Sequence, residues 1–124
     1  MAKTFKDLIV WQKSHNLVLE IYKITKNFPP EEKFGLVSDM RRAARSVPTN
    51  IVEGFGRHGY KDAMNFFNRS DASLEELKYQ TLLSLDLTFI NDMEYKKFME
   101  SEEEVGRLLD GWQKSYRPKK ALNT

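Results

Sequence analysis

The sequence predicts an all-α protein, an antiparallel up-and-down four-helix bundle. Three observations lead there. Apolar residues recur at steps of three and four along four separate stretches, the period of a helix with one buried face. Proline, glycine and an Asn-Asp pair fall between those stretches, where helices stop and start. No stretch alternates apolar and polar residues as a half-buried strand would. The connections are short, so neighbouring helices should run antiparallel.

The first segment, about 6–27, carries Leu17, Ile21, Ile24 and Phe28 on one stripe, extended backwards by Leu8 and Trp11. Pro29 and Pro30 end it, because proline lacks the backbone donor and its predecessor avoids helical angles. The second segment, about 31–55, spaces Leu36, Met40, Ala43, Val47, Ile51 and Phe55 the same way. Pro48 sits inside it and should clash with the carbonyl of Ala44, so a kink or a restart is predicted. Asn50 and Glu53 have the spacing of a reciprocal cap, which would suit a restart.

The third segment, about 60–90, aligns Ala63, Phe67, Ser70, Leu74, Leu77, Thr81, Leu85 and Thr88. Unbroken, it would span roughly 45 Å. The adjacent Phe66 and Phe67 cannot both enter one narrow stripe. Either the stripe is wide and touches two helices, or one ring faces another subunit. Asn91-Asp92 breaks the pattern. The fourth segment, about 93–115, carries Tyr95, Phe98, Val105, Leu109, Trp112 and Tyr116 before Pro118. The 124 residues fit one domain, with a basic tail, 117–124, expected to be flexible.

At 40% apolar and 31% charged residues, the chain has the composition of a folded protein and not of a disordered one. It has no cysteine, which excludes disulfides and thiolate metal sites and favours a reducing compartment. The apolar run near the N-terminus is short and broken by Gln12 and Lys13, so no signal peptide is expected. No run approaches the roughly 18 apolar residues of a membrane span. A cytoplasmic location is therefore expected. The net charge of +2 is unevenly spread. Residues 1–70 hold 12 Lys/Arg against 7 Asp/Glu, whereas residues 71–116 hold 5 against 11. A basic face and an acidic face follow, suited to an anionic partner or to self-association.

Motifs for chemistry are few. Gly54, Gly56 and Gly59 match the G-x-G-x-x-G dinucleotide pattern in form, but no strand precedes them. A helix–helix turn is expected, with one glycine in a left-handed cap. A weaker reading has Arg57, His58 and Lys61 holding a phosphate at the start of the third helix. His15 and His58 lack a ligating partner one turn away. Glu102, Glu103 and Glu104 are consecutive and read as a solvated face. No catalytic residue, metal or cofactor is expected. The one polar set that would suit an enzyme is Ser46, Asn50, Glu53 and Ser73, which capping and close helix packing explain as well.

The basic cluster is the best functional signal. Arg41 and Arg45 share a helical face and Arg42 borders it, with Arg57 and Lys61 following across the turn. Guanidinium forks suit phosphate oxygens. The same arginines could instead pair with Asp39, Glu53 or the acids of the third and fourth helices.

Five motifs carry a family resemblance. They are Phe5-x-Asp7-Leu8-x-Val10-Trp11-Gln12, Phe28-Pro29, Phe34-Gly35-Leu36, the block from Met40 through Ser46, Pro48, Asn50 and Glu53 to Gly54, and Ser73-Leu74-x-Glu76-Leu77. In these the chain resembles the bacterial four-helix-bundle proteins encoded by intervening sequences within 23S rRNA genes, often called ribosomal-protein-like. That family is similar in turn to the accessory variability determinant of diversity-generating retroelements. The resemblance implies a ring-shaped homo-oligomer, a pentamer, and a partner that is RNA, another nucleic acid or a polymerase. Asp39 stands where the family pattern has glutamine and is placed to neutralise part of the arginine cluster. Val52 and Ala72 also depart from the pattern. Arg69 and Asp71 replace smaller or more apolar residues, so altered packing is expected there.

The function expected is a non-enzymatic oligomeric scaffold that contacts phosphates through Arg41, Arg42, Arg45, Arg57 and Lys61. The alternative is an adaptor that docks a polymerase or another protein without touching nucleic acid.

Overall fold

Helix begins almost at once. The Thr4 hydroxyl accepts from the Lys6 amide and the Asp7 carboxylate accepts from the Thr4 amide at 3.0 Å, a reciprocal cap on a single 3-10 turn, Phe5–Asp7. The computed structural model describes residues 2–116. The flexibility expected of the tail 117–124 concerns residues outside that range. Leu8 is extended, so the first helix, α1, spans Ile9–Thr25 and starts later than its apolar spacing alone suggests. A 3-10 turn at Pro30–Glu32 leads to α2, Leu36–Phe55. The third helix, α3, spans Tyr60–Asp86, and α4 spans Asp92–Ser115. The reciprocal cap at α4 joins Asn91 to Glu94, with bonds of 2.8 and 2.9 Å.

Each helix packs on its chain neighbours, and α4 closes back on α1. No pair packs across a diagonal among the described residues. This is the predicted up-and-down four-helix bundle. Its core is the predicted stripe: Leu17 and Ile21 of α1, Met40, Val47 and Ile51 of α2, Leu74 and Leu77 of α3, and Val105 and Leu109 of α4. Phe28 meets Phe89 at 5.3 Å over one end of the bundle.

Pro48 does not restart α2, one of the two outcomes expected there. The helix runs unbroken from Leu36 to Phe55, and the Asn50–Glu53 cap does not form. The Asn50 amide instead donates to the Ser46 carbonyl at 2.8 Å and to Ser46 Oγ at 3.0 Å. The buried Ser70 hydroxyl donates to the Val47 carbonyl at 2.6 Å. Both carbonyls lie just before the proline, whereas the carbonyl whose helical donor is missing is that of Ala44. The glycine cap is corrected as well. Gly56 ends α2 at φ −80°, and no described glycine has a positive φ.

The left-handed residue is Thr88, at φ 65°, in the turn after α3. That turn ends α3 before Leu87, short of its predicted limit. A β-branched side chain is strained in this region. Thr88→Gly is expected to raise stability by about 1 kcal/mol, measured as a higher urea midpoint at unchanged slope.

Phe66 and Phe67 divide between surface and core. Phe67 is fully buried against Trp112 at 4.4 Å and Tyr116 at 5.1 Å. Phe66 is half-buried beneath two cations, Arg57 at 4.5 Å and Arg69 at 5.2 Å. Arg69 therefore points outward and Asp71 is only half-buried. The disturbance expected around them does not reach the core stripe.

Candidate nucleic-acid interface

The arginines of α2 are organised by a residue the sequence did not single out, Tyr22 of α1. Its carbonyl accepts from Arg41 Nη2 at 3.2 Å, and its ring lies 4.5 Å beneath the Arg41 guanidinium. Arg41 Nε donates to the buried Thr25 hydroxyl at 3.0 Å. Arg45 Nη1 donates to the Tyr22 phenol oxygen. All of these partners are neutral, so Arg41 and Arg45 are held in place with their charge uncompensated. Neither makes an ion pair among the described residues.

The other predicted contacts differ. Arg42 pairs with Asp39 at 3.2 Å, the neutralisation expected from that acid. Arg57 lies between Glu53 at 3.6 Å and Asp62 at 3.8 Å. Lys61 is exposed. Sixteen residues separate Arg41 from Arg57, roughly 24 Å along a helix. The five residues therefore form two groups, and only Arg41 with Arg45 is an uncompensated pair.

Three of the four polar residues that would suit an enzyme do meet. Ser73 of α3 donates to Ser46 Oγ at 2.7 Å, and Asn50 donates to the same oxygen. The trio ties α3 to α2. Glu53 stands apart, exposed and paired with Arg57. Glu76 is also exposed and accepts from Gln80 at 3.2 Å. Trp11 is half-buried between Phe5, edge-on at 4.9 Å, and His15, stacked at 4.8 Å. Gly54 lies where α3 crosses α2, close to Phe67.

Glu102 corrects the reading of 102–104 as one solvated face. Glu103 is exposed, and Glu104 pairs with Lys13 at 3.7 Å. Glu102 is 0% exposed. The signal was present in the register: Phe98, Glu102, Val105 and Leu109 follow steps of four, three and four. Burial pushes the Glu102 carboxyl up to about 8, against the downward pull of the Thr81 hydrogen bond and Lys78, with Glu103 adding slightly to the rise. Asp71 on the α3–α4 side is raised too, by burial and then by the nearby Asp110 and Glu75. Among the described residues no group of three or more His, Asp or Glu is placed to hold a metal ion. No described helix is long and apolar enough to cross a membrane.

Fold and surface together define a small four-helix bundle with a basic outer face on α1 and α2. The chain belongs to the 23S rRNA-intervening sequence protein family, whose model matches residues 6–111. It is similar to a crystal structure of a protein of unknown function from the S23 ribosomal protein family of Bacteroides thetaiotaomicron VPI-5482. That likeness has a TM-score of 0.80 and 24% identity, over 88% of this chain and 98% of the other. At that identity it speaks to the fold alone. No curated protein matches the chain.

Proposed function

We propose that the protein is a non-enzymatic, cytoplasmic scaffold that assembles from several copies and associates with RNA through the α1–α2 face. The observation that supports this reading is the pair Arg41 and Arg45. Both are oriented by Tyr22 and neither is neutralised by a carboxylate. A guanidinium fixed by neutral partners keeps its full charge for phosphate and loses less entropy on contact. Repeated on every copy, a modest basic patch becomes a strong anion surface, because each phosphate contact releases counterions.

Assembly is supported by apolar side chains left in water. Tyr79 is 62% and Leu82 40% exposed, one turn apart on the outer side of α3. They lie on the acidic half of the chain, which complements the basic half of a neighbour. The family resemblance suggests a ring of five. Native mass spectrometry tests this, and a monomer at micromolar concentration would rule it out.

The RNA reading predicts that Arg41→Glu with Arg45→Glu weakens binding to a structured RNA at least about tenfold near physiological salt and flattens the salt dependence. Arg57→Glu, already offset by Glu53 and Asp62, should have a smaller effect. Unchanged affinity in a folded double variant would sink the assignment and leave the protein-docking adaptor as the better account.

A further inference from the structure

Beside the Arg41–Arg45 pair, α1 and α2 enclose an open groove of about 340 Å³. Its floor is apolar, formed by the buried Val18 and Pro48. One wall is a stack of two rings. The His15 imidazole lies 4.8 Å from the Trp11 indole, with only 7° between their planes. Phe5 meets Trp11 edge-on and fixes its orientation. His15 is itself exposed and lines the groove together with Trp11. Arg45 and Thr49 line the same groove. Arg45 is held by the Tyr22 phenol, and Thr49 brings an exposed hydroxyl.

We infer that this groove seats one unstacked nucleobase of single-stranded RNA, stacked on His15, with the adjoining phosphate on Arg45. The inference rests on the RNA reading above and adds to it a contact that a phosphate-binding face alone does not need. Single-stranded bases are recognised by stacking on aromatic rings, histidine included, next to cations that hold the backbone. A third flat ring extends the Trp11–His15 stack, and the apolar floor meets the base edge. The charge of Arg45 selects a phosphate-bearing ligand over a neutral aromatic one. Recognition of this kind tolerates any base, because every base has a π face.

The test uses the full chain and two heptameric strands of equal charge, oligouridylate and an abasic sugar-phosphate strand. The wild-type protein should prefer the base-bearing strand about tenfold. His15→Ala should remove that preference while changing affinity for the abasic strand less than about twofold. His15→Phe restores a flat face and should restore the preference. Wild-type preference retained in His15→Ala overturns the nucleobase site and leaves the basic face standing. Failure of the wild-type protein to bind either strand at low salt overturns the RNA reading itself. A smaller native mass for His15→Ala would show that a second copy of the chain covers the groove, which also overturns the site.

Discussion

Raising the pH from 5 to 8.5 is expected to weaken the wild-type fold by several kcal/mol through one side chain, and Glu102→Gln should largely abolish that loss. In the unfolded chain the Glu102 carboxyl titrates near its ordinary value of 4.5; in the folded bundle it titrates near 8. Below 4.5 both states hold the proton, and the stability tied to this group is fully present. Between the two values the unfolded chain has released its proton while the folded chain still holds it. The folded state then binds more protons, so stability falls as pH rises, by about 1.4 kcal/mol per unit. Above 8 both states are ionised and the loss levels off. Across the window the total is on the order of 4–5 kcal/mol.

The surroundings of the two carboxyl oxygens bear on the same question: a Thr81 proton given to Glu102 favours the carboxylate, and one given to Leu77 favours the neutral acid. Thr81 Oγ1 lies 2.7 Å from Glu102 Oε2 and 3.0 Å from the Leu77 carbonyl. A hydroxyl has one proton to give, and a carbonyl can only accept. If Thr81 donates to Leu77, the proton between Thr81 and Glu102 must be carried by Glu102. The other carboxyl oxygen, Oε1, is buried with no partner among the described residues. An unpartnered oxygen is far more costly on a carboxylate than on a neutral acid. In Glu102→Gln the amide can donate to Thr81 Oγ1 at every pH. Urea unfolding of both proteins at pH 5, 6.5 and 8.5 isolates the effect, since the remaining carboxylates are common to the two. The variant should match wild type within about 1 kcal/mol at pH 5 and exceed it by about 3–5 kcal/mol at pH 8.5. Parallel pH profiles would show that Glu102 is ionised in the bundle.

The bundle was legible because its signals are local. Pro29-Pro30 and Asn91-Asp92 mark chain breaks. Leu17 and Ile21 of α1, Met40, Val47 and Ile51 of α2 and Val105 and Leu109 of α4 are buried on the stripes their spacing defines, while Val10, Val18, Val37 and Ala44 widen the core beyond them. Glu102 was misread because the charge of three consecutive glutamates outweighed the register that places the first of them between Phe98 and Val105. The restart expected at Pro48 rested on a local rule, whereas α2 is also held from outside the helix. Ser70 reaches across from α3 to the Val47 carbonyl, and tertiary packing overrides the local rule. The arginine cluster was visible as composition, but its division was not. Tyr22 is 23 residues from Arg45, and no periodicity says that it holds two guanidinium groups while Asp39, Glu53 and Asp62 occupy the others.

Gly54→Ala is expected to destabilise the protein by about 1–3 kcal/mol, although alanine is the better helix former by roughly 1 kcal/mol. Both glycines that close α2 have helical or near-helical geometry, so the difference between them is one of space. A Cβ on Gly54 would lie 3.0 Å from Phe67 Cε1, 3.3 Å from Cδ1 and 3.4 Å from the Phe66 Cβ. Phe67 cannot retreat, because Trp112 and Tyr116 pack against it from α4 and its C-terminal cap. Helix α3 must then move off α2 or the ring must leave its rotamer, and either disturbs a close-packed interior. A Cβ on Gly56 meets nothing nearer than the Glu53 carbonyl at 3.7 Å, an ordinary contact. Gly56→Ala should therefore be neutral or stabilise by about 0.4–1 kcal/mol, through the reduced freedom of the unfolded chain. The contrast is measured by urea midpoints at constant slope. Phe67→Leu should absorb part of the Gly54→Ala effect, so the double variant should be more stable than the sum of the two single changes predicts. Strict additivity, or a stabilising Gly54→Ala, would mean that α2 and α3 are farther apart at this point than Gly54 and Phe67 place them.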